Sequence, residues 1–194
     1  MKKMLTVLAA VAFLATAAFA QEEGASGASK GGSQFQIAPE FGISYYLGND
    51  DGFDDIGLGF PAITVKALYN LNNVKVAAGP LAVGAWVGYI RDYSDSENGA
   101  DVSLYTIPLI LVAEFRLIEQ LWLDAGIGFA VVGYSMDVPY FGEVSDSDTR
   151  LSLMARAGYD IIQAGPGTLQ ASVGFQFIDD YSKLLVQVGY NFAL

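Results

Sequence analysis

Seven charged residues stand singly within stretches of alternating apolar and small residues. They are Glu40, Lys66, Glu114, Arg116, Asp124, Arg156 and Asp160. An ionised group that is removed from water must pair with an opposite charge, or its burial costs several kcal/mol. Four acids and three bases at such positions therefore predict a network of salt bridges, with Arg156 and Lys66 as its central cations. The alternative interpretation is a charge-lined conduit for ions.

Catalytic chemistry is disfavoured by what the composition lacks. The chain contains no histidine and no cysteine, so neither a Ser-His nucleophile nor an Asp-His pair can be assembled. A paired-carboxylate site stays conceivable, but nothing in the sequence fixes its geometry. We therefore predict no enzyme activity, no metal site and no cofactor.

A second group of charged residues is acidic and clustered between the alternating stretches. These residues are Asp50, Asp51, Asp54, Asp55, Asp95, Glu97, Asp101, Glu143, Asp146 and Asp148. We interpret them as members of solvated loops, one of which begins at Asp92. Residues 49–55 (NDDGFDD) lack the spaced ligands, the sixth-position glycine and the terminal glutamate of a calcium-binding loop. Weak binding of divalent cations and binding of a basic partner surface are both left open.

The start of the chain has the three parts of a secretory signal peptide, which is predicted to span residues 1–20. Met1-Lys2-Lys3 is basic, residues 4–19 are apolar, and Ala18-Phe19-Ala20 is a cleavage site. Residues 21–33 are rich in glycine, serine and alanine, so a flexible lead-in is expected. Removing the two lysines from a chain of formal charge −11 leaves it still more acidic, which disfavours binding to nucleic-acid phosphate.

From residue 34 to the end, apolar residues alternate with small or polar ones, which predicts β-strands with two unlike faces. Eight strands are expected, near residues 34–47, 59–71, 81–93, 102–117, 121–131, 150–161, 169–177 and 184–194. Long acidic connections alternate with short ones, as in an up-and-down barrel. The predicted fold is all-β: an eight-stranded antiparallel up-and-down transmembrane β-barrel over residues 34–194.

A membrane barrel is favoured over a soluble one by the composition of the two strand faces. Charged residues make up 16% of the chain, against about a quarter in soluble proteins. The less apolar face is mostly Gly, Ala, Ser, Gln and Asn, which suit a narrow enclosed lumen. The apolar face carries bulky aromatic residues at both strand ends, as two bilayer interfaces would select.

The last strand carries a motif that points to a family. Its residues are Gln187, Gly189, Tyr190, Phe192 and Leu194. Their order resembles the C-terminal insertion signal of bacterial outer-membrane barrels, although Leu194 stands where that family usually has Phe. Together with the strand pattern, the chain resembles the small outer-membrane barrels of the OmpA-like and OmpX-like type. The resemblance implies recognition by the barrel-assembly machinery during biogenesis.

The expectation is an integral protein of the bacterial outer membrane, with periplasmic termini and extracellular acidic loops. We predict a non-enzymatic barrel whose lumen is plugged by side chains and that serves envelope structure or surface interaction. The alternative is a passive conduit, or small porin, for small solutes. The expected partners are outer-membrane lipid, the assembly machinery and an unidentified extracellular molecule, but no nucleic acid. The protein is predicted to be a monomer without an appended periplasmic domain.

Overall fold

The structure is a computed structural model that describes residues 34–47, 57–97, 100–138, 142–179 and 181–194. The predicted signal peptide and lead-in lie outside the described residues, as do Asp50, Asp51, Asp54 and Asp55. The described residues include no helix that is long and apolar enough to cross a membrane.

Eight antiparallel strands pair in sequence order and close into a barrel, because β1 pairs with both β2 and β8. The predicted fold is confirmed. The strands are β1 (Phe35–Tyr46), β2 (Leu58–Val76), β3 (Gly79–Glu97), β4 (Ala100–Arg116), β5 (Leu121–Val138), β6 (Gly142–Ala164), β7 (Gly167–Ile178) and β8 (Tyr181–Ala193). The first and last strands meet at one end, where the Leu194 N–H donates to the Phe35 carbonyl at 2.9 Å. We term this the terminal end and the opposite one the distal end.

The two faces of the barrel wall differ as the alternation predicts. On β2, Lys66 and Leu68 are buried, whereas Ile63 between neighbouring lumen positions is 47% exposed. Both tryptophans, Trp86 and Trp122, are fully buried inside the barrel. The wall therefore turns most of its large apolar side chains outward, and the buried interior includes polar, charged and indole side chains together with some apolar ones.

At the distal end, β3, β4, β5 and β6 continue past the predicted strand ends. Their register places Ser94, Ser103, Ser135 and Ser145 in one row across the four strands. The loop assignment was therefore wrong for residues that lie on strands, namely Asp95, Glu97, Asp101, Glu143, Asp146 and Asp148. Ladder hydrogen bonds join backbone groups and do not require apolar side chains, so pairing continues where the outer face becomes polar.

This four-stranded extension is termed the distal sheet and comprises residues 93–97, 100–105, 131–138 and 142–150. Its inner face continues the lumen-facing positions and exposes Tyr134, Met136 and Val144. β7 ends lower, because its last residue, Ile178, pairs with Ser152 of β6. The mouth of the barrel is therefore high on the β3–β6 side and low beside β7.

Glycine makes room for large side chains at two places in the lumen. A Cβ placed on Gly158 of β6 would overlap the ring of Trp122, which lies directly opposite in the register. A Cβ on Gly174 of β7 would overlap the side chain of Arg156. Because protein interiors are close-packed, a glycine beside each bulky residue is what lets the interior hold it.

The variant Gly158→Ala should destabilise the barrel, because the new methyl group meets the Trp122 ring in a filled lumen. Overpacking of this kind costs about 1–3 kcal/mol. Thermal unfolding, followed by the heat-dependent gel shift of the barrel, would measure the loss. Ala157→Val is the matched control, since residue 157 points to the opposite face of β6, and its midpoint should stay close to that of the wild type. Equal midpoints for Gly158→Ala and the wild type would contradict the packing described.

Candidate functional site

Arg156 of β6 is the centre of a buried charge cluster in the lumen and is 3% exposed. Its Nη1 donates to Glu40 Oε2 at 2.6 Å. Its Nη2 and Nε donate to Asp124 Oδ2 and Oδ1 at 2.7 and 3.1 Å, a bidentate geometry that adds both energy and orientation. Glu40 lies on β1 and Asp124 on β5, on opposite sides of the closed ring. Arg156 therefore bridges the lumen.

Lys66 of β2 is the second buried cation. Its Nζ lies 2.5 Å from Glu114 Oε2 and 3.3 Å from Asp124 Oδ2. The same Nζ lies 3.6 Å from the centroid of the Trp122 ring, and cation–π attraction strengthens where water is excluded. Asp124 thus accepts hydrogen bonds from both cations. These five ionised residues, three acids and two bases, are termed the central cluster.

Neutral side chains complete the hydrogen bonding of the central cluster. Glu40 accepts from Thr64 Oγ1 and Trp86 Nε1, both at 3.1 Å, and from Gln170 Nε2 at 3.3 Å. Gln187 Oε1 accepts a further bond from the guanidinium at 3.3 Å. With these partners, all eight strands contribute a side chain to the cluster or its hydrogen bonds. Within the described part of the chain, no polar atom of the cluster is buried without a partner, as a stabilising polar network requires.

The other two predicted lumen charges, Arg116 and Asp160, form a separate pair toward the terminal end. Arg116 Nη1 lies 2.7 Å from Asp160 Oδ2, and Trp122 Nε1 donates to Asp160 Oδ1 at 3.2 Å. The two charged side chains are 22% and 13% exposed, so water screens this pair more than the central cluster. The structure thus brings all seven predicted charges into ion pairs, five in one group and two in another.

The sequence interpretation missed a further ion pair in the lumen, between Asp92 of β3 and Lys183 of β8. Lys183 Nζ lies 2.8 and 3.0 Å from the two carboxylate oxygens of Asp92, and both residues are buried. Asp92 also accepts from Thr106 Oγ1 at 2.5 Å and from Ser44 Oγ at 3.4 Å. The assignment of Asp92 to a solvated loop was wrong.

A signal for this pair is present in the alternation. Asp92 begins an acidic run and Lys183 follows another, so each resembles a loop residue when its neighbours alone are considered. However, Asp92 is two residues from the buried Ile90, and Lys183 is two residues from the buried Leu185. Residues two apart share a strand face, so this parity of position assigns both charged residues to the lumen. A β-bulge in β3 interrupts the pattern at Asp92 itself, between Arg91 and Tyr93, which hides the end of the lumen-facing row.

Apolar side chains separate the Asp92–Lys183 pair from the central cluster. Ile90, Ile110 and Leu185 are almost completely buried and belong to one apolar group. They lie on β3, β4 and β8 between lumen positions of the distal pair and of the central cluster. Charged and apolar layers therefore follow one another along the barrel axis.

The residues of the predicted insertion signal have contacts of their own in the folded barrel. Gln187 hydrogen-bonds in the central cluster, and the rings of Tyr190 and Phe192 lie with centroids 4.6 Å apart. A Cβ on Gly189 would lie only 2.8 Å from the Pro39 carbonyl oxygen of β1, so glycine permits close approach at the β1–β8 seam. Recognition of this strand by the assembly machinery stays a prediction.

The acidic side chains of the distal sheet that the structure describes lie apart from one another and from a metal-binding arrangement. Asp137, Asp146 and Asp148 are exposed, and Asp148 Oδ2 lies 3.3 Å from Arg150 Nε. Among the described residues, no group of three or more acidic side chains could hold a metal ion. The side chains of the other predicted acids on this sheet lie outside the description, namely Asp95, Glu97, Asp101 and Glu143.

A comparison with protein families decides the identity of the barrel. The family described as "Outer membrane protein beta-barrel domain" matches residues 6–192, nearly the whole chain. The chain belongs to this family. As an outer-membrane barrel, it is an integral protein of that membrane, as the sequence predicted. The comparison with curated proteins gave no match.

Solved structures of two proteins resemble this outer-membrane barrel. Ail, the attachment invasion locus protein of Yersinia pestis, was solved in complex with the heparin analogue sucrose octasulfate. It is 17% identical with a TM-score of 0.61, and the match covers 83% of this chain and 99% of Ail. Neisserial surface protein A (NspA) is 15% identical with a TM-score of 0.57, and the match covers 85% and 100% of the two chains. At these identities the likeness supports a shared fold and no further property.

Removal of the central cation should strongly destabilise this outer-membrane barrel. In Arg156→Met, Glu40 and Asp124 lose their shared guanidinium, and breaking a buried pair costs about 3–5 kcal/mol. The triple variant Arg156→Met/Glu40→Gln/Asp124→Asn also removes the stranded carboxylates and should recover most of the loss. Urea unfolding in lipid vesicles would measure both. A triple variant no more stable than Arg156→Met would contradict an electrostatic origin of the loss.

The distal ion pair predicts a coupling energy. Asp92→Asn and Lys183→Met should each destabilise the barrel, because each removes one member of a buried ion pair. The double variant should lose less than the two single variants together, by about 0.5–3 kcal/mol, because contacting residues are not additive. Unfolding of the wild type and the three variants under the same conditions gives this difference. Strictly additive losses would show that the two side chains do not stabilise each other.

Proposed function

We propose that this outer-membrane barrel is a non-conducting and non-catalytic protein that acts at the cell surface through its distal sheet. The observation that carries the proposal is the central cluster, in which Arg156 bridges the lumen. Together with its neutral hydrogen-bond partners, the cluster draws side chains from all eight strands. The interior of an eight-stranded barrel is just wide enough for side chains to fill. Paired charges across this space, with apolar side chains beside them, support a lumen without a continuous path for water.

The absence of catalysis is supported by the state of the lumen carboxylates. Glu40 and Asp124 already accept hydrogen bonds from Arg156, and Asp92 accepts from Lys183. A general base must instead reach a substrate proton within hydrogen-bond distance. The chain has neither a histidine nor a cysteine that could act as the general base. We therefore assign the buried charges to structure and not to chemistry.

We place the termini in the periplasm and the distal sheet outside the cell. The connections at the terminal end are short, at residues 77–78, 117–120 and 165–166. Outer-membrane barrels combine short periplasmic turns with longer extracellular segments. In this orientation the distal sheet stands above the membrane, with its serine row and exposed carboxylates in water.

The charge of the distal sheet favours a cationic partner over an anionic one. The structure of Ail holds sucrose octasulfate, a ligand with many negative charges. In this chain, Asp137, Asp146 and Asp148 are exposed on the distal sheet, and the formal charge of the whole chain is −11. Such a surface repels polyanions and attracts cations. We infer that this barrel differs from Ail in the sign of the ligand it favours.

Conductance in a planar lipid bilayer tests the proposed plug. The refolded mature protein should show no steady channels, because paired charges and apolar side chains fill its lumen. Arg156→Ala removes the bridge across the lumen and should raise conductance or, if the wall yields, lower thermal stability. Lys75→Ala is the control: it removes a positive charge from an exposed position on the terminal end of β2 and should change neither property.

Steady channels in the folded wild-type protein would overturn the plug and favour a passive conduit for small solutes. The heat-dependent gel shift must first show that the inserted protein is folded. Silence in the wild type, with a measurable effect of Arg156→Ala, supports the plugged lumen and directs attention to the distal sheet. A silent barrel for which no surface ligand is found would serve envelope structure alone.

A further inference from the structure

One edge of β6 in the distal sheet has no neighbouring strand among the described residues. β6 pairs with β5 from Gly142 onward but with β7 only from Ser152 onward. Residues 144–149 are all exposed. A strand edge of this kind carries backbone donors and acceptors and is a template for pairing with another chain. The low side of the barrel mouth leaves this edge open to solvent.

Two backbone N–H groups of this edge are capped by carboxylates. The Ser147 N–H donates to Asp146 Oδ1 and the Thr149 N–H donates to Asp148 Oδ1, each at 2.8 Å. These N–H groups are therefore directed away from the β5 ladder. In an antiparallel pair, the carbonyl of such a residue points the same way as its N–H. Asp146 and Asp148 thus occupy the donors that an added strand would use.

We propose that residues 144–149 of β6 bind an extended, cationic segment of another protein by strand addition, and that Asp146 and Asp148 select it. The proposal rests on the surface role proposed above and gives it a site and a partner chemistry. An added strand must replace the carboxylates at the two capped N–H groups with its own carbonyl oxygens. Lysine or arginine side chains compensate by pairing with the released carboxylates, whereas a neutral or acidic strand offers them no partner.

The alternation of β6 sets the sequence pattern of the partner. Val144, Asp146 and Asp148 lie on one face of the strand, and Ser147 and Thr149 lie on the other. A strand that pairs with this edge directs its own alternate side chains at these two rows. The partner therefore carries basic residues at every second position, with small polar residues such as threonine between them.

A second copy of this chain is a poor occupant of the same edge. If two β6 edges paired antiparallel around Ser147, Asp146 of one copy would lie opposite Asp148 of the other. Like charges directly opposite each other destabilise a ladder, and in each copy the same carboxylates also cap the edge donors. Charged residues on an exposed edge are a known protection against self-association. The acidic edge thus disfavours pairing with a second copy of the chain and still allows a cationic strand to bind.

A synthetic peptide can serve as the probe. It has about ten residues, enough to cover a strand edge, alternates lysine with threonine, and carries a fluorophore for anisotropy measurements with the refolded barrel. We expect saturable binding that weakens as salt rises and is about tenfold tighter than that of a glutamine–threonine peptide. When the lysines face Asp146 and Asp148, the threonines lie opposite Ser147 and Thr149. Methylation of the backbone amide nitrogens of the threonines should then abolish binding, because these N–H groups point toward β6. Methylation of the backbone amide nitrogens of the lysines, which point away from β6, should preserve it.

Variants of the barrel separate the edge from general charge attraction. Asp146→Asn/Asp148→Asn keeps an oxygen at each cap but removes the charge, so the preference for lysine over glutamine should disappear. Asp137→Asn/Asp179→Asn removes two exposed carboxylates elsewhere at the distal end and should keep that preference. Ser147→Pro deletes one edge N–H and should weaken binding, whereas Ser147→Ala keeps the N–H and should not.

The proposal is overturned if the lysine peptide does not bind the folded wild-type barrel or if methylation of the threonine nitrogens leaves binding unchanged. Equal effects of the two asparagine pairs would also overturn it, because the attraction would then not depend on the β6 edge. The bilayer experiment reports on the lumen independently. If the barrel conducts ions and binds the peptide, the proposed plug is wrong and the proposed binding site stands. If the barrel does not conduct and does not bind the peptide, the plug stands and the binding site is wrong.

Discussion

A guanidinium that is enclosed in a narrow barrel must have its charge balanced within reach, and the interior of this protein is arranged around that requirement. Arg156 meets it with Glu40 on one side of the ring and Asp124 on the other. Desolvation of the three groups is costly, and only close, well-oriented contacts offset it. The pairing of Asp124 opposite Arg156 also ties the charge balance to the β5–β6 register, since a slip of one strand by one residue would turn its charged side chain to the outer face and leave the other without its partner.

The remaining contents of the lumen follow from this need. Lys66 shares Asp124 with the guanidinium and lies against Trp122, so the ring shields a cation as well as filling space. Gly158 and Gly174 leave the volume that the indole ring and the guanidinium side chain occupy. Toward the distal end, buried apolar side chains follow the central cluster, and beyond them Asp92 and Lys183 again pair two buried charges. The backbone pairing is similar around the whole wall, and the side chains inside the lumen are what distinguish this barrel.

Much of this arrangement could be predicted from the sequence, because a strand has only two faces. Parity alone assigns Lys66 and Arg156 to the lumen and predicts a closed wall of eight strands. Parity does not say which acid meets which cation. Glu40 and Arg156 are 116 residues apart, and their contact depends on the register of every pair between them.

Two features escaped prediction for a related reason. The distal sheet extends through residues that resemble loops in composition, because backbone pairing can continue without an apolar face. The capping of backbone donors by Asp146 and Asp148 depends on which N–H groups face β5 and which face solvent. That division belongs to the ladder, and no side-chain pattern encodes it. The pairing of Asp92 with Lys183 could be predicted in part, because the alternation assigns both residues to the lumen face. The bulge at Asp92 interrupts that alternation and makes the assignment hard to recognise.

The seam between β1 and β8 has a consequence for the order of assembly. Glu40 is carried by the first strand and Gln187 by the last, and both contact the guanidinium of β6. Neither contact can form fully while the ends of the sheet are apart, so a partly curled sheet would hold Arg156 without two of its four hydrogen bonds. Wherever such an intermediate already excludes water from Arg156, part of the compensation for desolvation is missing. We therefore expect closure of the ring and completion of the charge cluster to be coupled.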